Sequence, residues 1–175
     1  MRVFAKYLIL LLLLSAFSCG EQPKKPSSPV SKQEMKSSME TANRYLLNEE
    51  EEDIANYVKR HGLDMVQTGT GLRYQILKKG SDRWVEKGQE VTLEYELHSI
   101  AGDLIYSSDN EGVKRFVVGN GAVETGLDEV MTYLHYGDVA KVIIPFHLGF
   151  GLHGDDQRIP GYATLVYTIK IIDNQ

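Results

Sequence analysis

The closing stretch of the chain limits its fold most tightly. From Leu165 to Ile171, the residues Leu165, Tyr167, Ile169 and Ile171 alternate with Val166, Thr168 and Lys170. That two-residue period sends one face of a strand to a core and the other toward water. A half-buried strand needs partners, and the sequence supplies them. Val91, Leu93, Tyr95 and Leu97 alternate with polar neighbours over Val91–His98 and predict a central strand with Tyr95 pointing inward. Gly71–Leu77, Leu104–Ser107, Lys114–Val118 and Val139–Pro145 predict further strands. One stretch breaks the period: after Gly121, the residues Val123, Leu127, Val130, Met131 and Leu134 recur at helical spacing before Gly137. A single helix among antiparallel strands must lie on one face of their sheet, which predicts an α+β domain. Between Gly149 and Pro160, the glycines, Asp155–Asp156 and Ile159–Pro160 interrupt regular pairing, so aromatic loop residues are free to line a concavity beside the sheet.

The N-terminal third reads differently. Met1–Arg2 and Lys6 flank an almost wholly apolar run, Tyr7–Ala16, which matches a secretory signal better than a membrane span. The run ends Leu14-Ser-Ala-Phe-Ser-Cys19, which resembles the lipobox of bacterial lipoproteins. That resemblance implies a signal peptide over residues 1–18, an acylated Cys19 as the mature N-terminus, and a membrane tether through its lipid. Residues 19–36, with Pro23, Pro26, Pro29 and several serines and lysines, predict a flexible linker. Residues 37–66 predict a helical extension, best marked over Asn48–His61. There Asn48 is placed to cap, Glu49–Asp53 lie at the positive end of the dipole, Lys59–His61 lie at the negative end, and Gly62 stops the helix. Ile54, Tyr57 and Val58 form a stripe that can lie on the domain or on a second copy in a homodimer. The formal charge of -5 argues against a nucleic-acid partner, and the single cysteine excludes an intramolecular disulfide and a cysteine-based zinc site.

Residues 67–175 then carry a resemblance. Gly71-Leu-Arg-Tyr74, Lys87-Gly-Gln-Glu-Val91 leading to Tyr95, Gly102-Asp-Leu-Ile-Tyr-Ser-Ser108, Phe116-Val-Val-Gly119, Val123-Glu-Thr-Gly-Leu127, Tyr136-Gly-Asp138, Phe150-Gly151, and Ile159-Pro160 before Ala163-Thr-Leu-Val-Tyr167 are similar to the FKBP-type peptidyl-prolyl isomerases. With the lipobox and the acidic helix, the chain also resembles the FKBP-like lipoproteins associated with gliding motility in Bacteroidetes. The family fold implied is a bent antiparallel half-barrel sheet wrapping one short helix, with a prolyl pocket between helix and sheet. Carried over residue by residue, the pocket comprises Tyr95, Ile105, Tyr106, Val123, Glu124, Leu127, Phe150, Ile159 and Tyr167. Ile105 stands where phenylalanine is usual, Tyr106 for an aspartate, Leu127 for a tryptophan, Phe150 for a tyrosine and Tyr167 for a phenylalanine. Glu124 stands where isoleucine is common, and the family uses the backbone N–H at that position to hold the substrate carbonyl, a role independent of the side chain.

The chemistry implied is modest in its demands. Rotation about an X-Pro bond breaks nothing covalent; its barrier of about 18–20 kcal/mol is lost amide resonance. A dry cup with one fixed donor favours the less polar twisted amide, and each tenfold in rate needs only about 1.4 kcal/mol of that preference. No cofactor is implied, and proline-containing polypeptides are the implied clients of an envelope-anchored domain outside the cytoplasm, facing the periplasm. A non-catalytic peptide-binding or assembly module on the same fold is the alternative. His147, His153, Asp155 and Asp156 fit no standard metal spacing, so no metal site is assigned.

Overall fold

The computed structural model describes residues 31–172, so the expected signal peptide, Cys19 and most of the expected linker lie outside the described residues. Two compact units divide at Ala42 and Asn43, with helix α1 (Lys32–His61) running from the first into the second. In the first unit, α1 begins inside the stretch expected as linker. A capping box explains it: the Glu34 N–H donates to Ser31 Oγ at 3.1 Å while the Ser31 N–H donates to Glu34 Oε2 at 3.0 Å. Asn48, expected to start a helix, is therefore interior to one.

In the second unit α1 ends as predicted. Gly62 takes a positive φ of 60°, and the Leu63 N–H reaches back to the Val58 carbonyl at 3.1 Å, closing the helix in the left-handed turn that glycine tolerates best. The sheet follows with β1 (Val66–Gln67), β2 (Arg73–Lys78), β3 (Glu90–Ser99), β4 (Leu104–Ser107), β5 (Lys114–Val117), β6 (Val139–Ile144) and β7 (Leu165–Ile171). All pairings are antiparallel in the order β1-β2-β6-β7-β3-β4, with β5 also pairing β3. A one-turn helix α2 (Ser108–Glu111) follows β4, and helix α3 (Thr125–Met131) is shorter than the apolar spacing suggested, leaving Val123 and Leu134 outside it.

The alternation places the core as expected. Val91, Leu93, Tyr95 and Leu97 of β3 and Leu165, Tyr167, Ile169 and Ile171 of β7 face the same cluster as Leu127, Val130 and Met131 of α3. Helix and sheet touch closely because Gly126 has no side chain: a Cβ there would lie 2.5 Å from Ile144 Cγ2.

The opposite face departs from the expectation of a solvent-facing Val166. Val166 and Ile143 are fully buried, because Ile54 and Tyr57 of α1 pack over them with Val58, Leu63 and Met65 alongside. The apolar stripe of α1 is thus spent on this chain's own sheet. Glu51 pairs with Arg73, and Glu50 accepts from the Phe146 N–H at 2.7 Å and from Thr164 Oγ1 at 2.6 Å, so the acidic run also fastens the helix. His135 is half-buried beside Trp84, with ring centroids 3.9 Å apart.

Candidate functional site

The fold draws the implied pocket residues into one neighbourhood from six places. β3 supplies Tyr95, β4 supplies Ile105 and Tyr106, and the turn into α3 supplies Val123 and Glu124. Leu127 lies on α3 itself, the β6–β7 loop carries Phe150 and Ile159, and β7 carries Tyr167. Tyr95, Leu127, Ile159 and Tyr167 are buried in the main core cluster, and Ile105, Tyr106, Val123 and Phe150 pack half-buried against it. Strand parity does this work: Tyr167 is registered opposite Leu97, and Tyr95 opposite Ile169, so both phenol rings share the inner face. Their centroids are 6.1 Å apart at 52°.

The floor of this neighbourhood is polar, which the resemblance did not imply. The Tyr167 hydroxyl donates to Glu124 Oε1 at 2.8 Å, and Lys114 Nζ lies 3.8 Å from the same oxygen and 5.2 Å from the centre of the Tyr95 ring. The Glu124 side chain is only 4% exposed, and its second oxygen, Oε2, is buried with no hydrogen-bond partner among the described residues. Burial pushes the Tyr167 pKa well up, and the charge and hydrogen bond of Glu124 add to it. Tyr95 moves the same way, from burial first and then from the charges of Glu111 and Glu124. Glu124 was read only for its main chain, and among the described residues no acceptor takes its N–H. Lys114 was missed altogether. Its signal was available: Lys114 shares parity with buried Phe116 and is registered opposite buried Leu93, so it belongs to the inner face.

Tyr106 does not fill the floor. Its hydroxyl donates to Asp155 Oδ2 at 2.5 Å, and the Arg158 guanidinium lies 4.9 Å over its ring while donating to the Ile105 carbonyl and to Glu111. Asp155 Oδ1 meanwhile accepts the N–H groups of Gln157, Arg158 and Ile159 at 3.0, 3.0 and 2.7 Å. One carboxylate therefore shapes the β6–β7 loop around Ile159 and ties it to β4. Burial alone pushes the Asp155 carboxyl up, but the hydrogen bonds from Tyr106, Ile159, Gln157 and Arg158 outweigh it and hold its pKa below the usual value. The Tyr106 phenol is raised, chiefly by that same bond.

Three cavities among the described residues each take in at most one of this set. One of about 240 Å³ includes Tyr95, one of about 310 Å³ includes Ile105, and one of about 740 Å³ includes none of them.

Residues 81–172 match the family described as FKBP-type peptidyl-prolyl cis-trans isomerase. The chain is 31% identical over 103 residues to the FK506-binding protein of Neisseria meningitidis serogroup B, covering 58% of this chain and 94% of that protein. It is 35% identical over 89 residues to peptidyl-prolyl cis-trans isomerase FKBP9 of Homo sapiens, covering 50% of this chain but only 16% of that longer protein. The crystal structure of AtFKBP13 superposes with a TM-score of 0.60 at 23% identity, covering 64% of this chain and 99% of that one, which establishes the likeness of fold.

Proposed function

Because the chain belongs to the FKBP-type peptidyl-prolyl cis-trans isomerase family, we propose that its C-terminal domain accelerates rotation about X-Pro bonds of polypeptide clients. The observation that carries this reading is the convergence of Tyr95, Val123, Leu127, Ile159 and Tyr167 from separate elements on one neighbourhood beside the unpaired Glu124 N–H. In such a site the rings and aliphatic tips exclude water, the N–H holds the carbonyl before the proline, and the amide loses less by twisting than it would in water. The Lys114–Glu124–Tyr167 set works against this, since a carboxylate and an ammonium make the cup more polar. Turnover is accordingly slow in the wild-type chain.

The same polar floor favours a second reading, in which the domain binds client segments without turning them over. Isomerisation of a Leu-Pro peptide, followed without a coupling protease, decides between them. Acceleration by the wild-type chain, rising about tenfold in Glu124→Ile, is the expected result; about 1.4 kcal/mol of recovered preference suffices. No acceleration by either protein, with the fold intact by circular dichroism, rejects catalysis in favour of binding.

The domain's placement is also part of the proposal. The basic start, apolar run and lipobox of residues 1–19 support a lipid tether on Cys19 and an envelope location, as in gliding-motility-associated lipoproteins. No helix among the described residues is long and apolar enough to cross a membrane. Metabolic labelling with a fatty-acid analogue tests the tether: label lost in Cys19→Ala supports it, and label retained refutes it.

A further inference from the structure

The acidic run of α1 does more than fasten the helix. Leu46, Glu49, Glu50 and Asp53 are spaced i, i+3, i+4, i+7 and form one stripe, next to the Ile54–Tyr57 stripe that covers the sheet. That acidic stripe forms one wall of the cavity of about 310 Å³, whose other walls include Ile105, Phe146 and Tyr162. Its lining is otherwise largely apolar, and among its lining residues there are three carboxylates and no lysine or arginine.

Three features show a built groove. Glu50 clamps its inner wall through the Phe146 N–H and the Thr164 hydroxyl. Tyr162, 47% exposed, is held at a φ of 61°, a left-handed backbone that a bulky residue adopts only when its surroundings enforce it, with its ring 5.3 Å from that of Phe146. The Asp53 carboxylate has no hydrogen-bond or ion-pair partner among the described residues and the Glu49 carboxylate accepts only from Tyr45, so like charges follow one another along the stripe; Lys59 and Arg60 border Asp53 only in the separate cavity of about 740 Å³. The volume lies at the bottom of the range of about 300–1,000 Å³ for small-molecule pockets, which suits one or two side chains better than a cofactor. Ile105 belongs both to this groove and to the residues around the cup.

We infer that this groove is a second subsite for the client, taking an aliphatic or aromatic side chain with an adjacent lysine or arginine paired to Asp53 and Glu49. An apolar anchor beside a cation matches both halves of the lining, and a cation there relieves the repulsion along α1. The inference rests on the isomerase reading only in taking the client to be an extended polypeptide.

The test uses the full chain and four peptides sharing one Leu-Pro target and differing in a flanking pair: Leu-Lys, Leu-Glu, Ser-Lys and Ser-Ser. Calorimetry is expected to show Leu-Lys binding about tenfold more tightly than Leu-Glu, the size of one partly desolvated charge pair. The gap narrows from about 0.1 M to 1 M salt, where the screening length falls from about 10 to 3 Å. Asp53→Lys, a change on an exposed helical position, reverses the preference. Equal affinities for the four peptides, or an Asp53→Lys protein that weakens all four alike, overturn the inference. Turnover measured on the same peptides keeps the two readings apart. A Leu-Lys preference without turnover removes catalysis and leaves the groove; turnover with flat affinities does the reverse.

Discussion

Replacing Tyr167 by phenylalanine tests whether the floor of the cup is a coupled polar unit. The hydroxyl is fully buried and donates 2.8 Å to a carboxylate that is itself nearly excluded from water. Its loss leaves Glu124 with Lys114 alone, at 3.8 Å, and with Oε2 still unpartnered. A buried hydrogen bond to a charged group is worth about 1.5–3 kcal/mol, which for a chain of this size lowers Tm by about 3–12 °C. In a Glu124→Ile background the arithmetic changes. There the hydroxyl has lost its acceptor and is the stranded group, so removing it recovers about 1–3 kcal/mol of desolvation. Lys114, 30% exposed along its side chain, can turn to solvent when its partner is gone. Tyr167→Phe should therefore destabilise the wild-type chain and stabilise the Glu124→Ile chain, a reversal of sign in a double-mutant cycle. Urea unfolding of the four proteins, with m-values compared to check that the unfolded state is unchanged, measures it. An equal cost in both backgrounds would show that the hydroxyl and the carboxylate are not energetically linked, and the polar floor would fall with that result.

Four further perturbations probe the surrounding frame. The Asp155 carboxyl is held below its usual range in the folded chain, so its contribution is complete above about pH 4 and disappears as pH falls through the folded value; Asp155→Asn should remove this part of the acid dependence and speed proteolysis of the β6–β7 loop, and an unchanged acid-unfolding profile would contradict it. Tyr167 is raised, so the stability of its neutral form is complete below about pH 10 and is lost as pH rises beyond it toward the folded value; Tyr167→Phe should flatten alkaline unfolding, monitored by phenolate absorbance. Gly126→Ala places a methyl 2.5 Å from Ile144 Cγ2 and should cost about 1–3 kcal/mol, with Ile144→Ala recovering part of the loss in the double variant. Ile54→Ala opens the packing over Ile143 and Val166 and should cost about 2–5 kcal/mol by urea unfolding; a cost below that range would mean that the helix is not an integral cover of the sheet.

The strands were legible because a period of two survives in any local window, and each predicted run from β2 to β7 lies where its alternation put it. What covers their outer face was less so. Val166 reads as solvent-facing from its neighbours alone, and only a helix more than a hundred residues earlier in the chain makes it core. The start of α1 was written in Ser31 and Glu34, but the proline and serine content around them suggested a linker, and the capping box prevailed. In the site, most of the residues the resemblance singles out lie in or against one cluster, because apolar residues follow the same parity that builds the core. The resemblance carried no information on how the departures pair with one another. Tyr106 finds Asp155 across 49 positions, and Tyr167 finds Glu124 across 43; each substitution looks like the loss of a family group until its partner is seen.

Those two pairs divide the labour of the cup. Tyr106 and Asp155 fix the loop that carries Ile159, so the wall stays ordered although the usual aspartate is gone. Tyr167, Glu124 and Lys114 meet at the floor, where the carboxylate is held between the phenol and the ammonium. The first pair preserves shape and the second alters polarity. On the isomerase reading proposed above, shape positions the amide and the rate follows how much less polar the site is than water, so the floor and not the loop would set the speed. A client held at a second point, in the groove beside α1, would have its proline presented to the cup at a high local concentration. If the chemical step is slow, turnover below saturation is proportional to occupancy, so such a second hold would raise it in the same proportion.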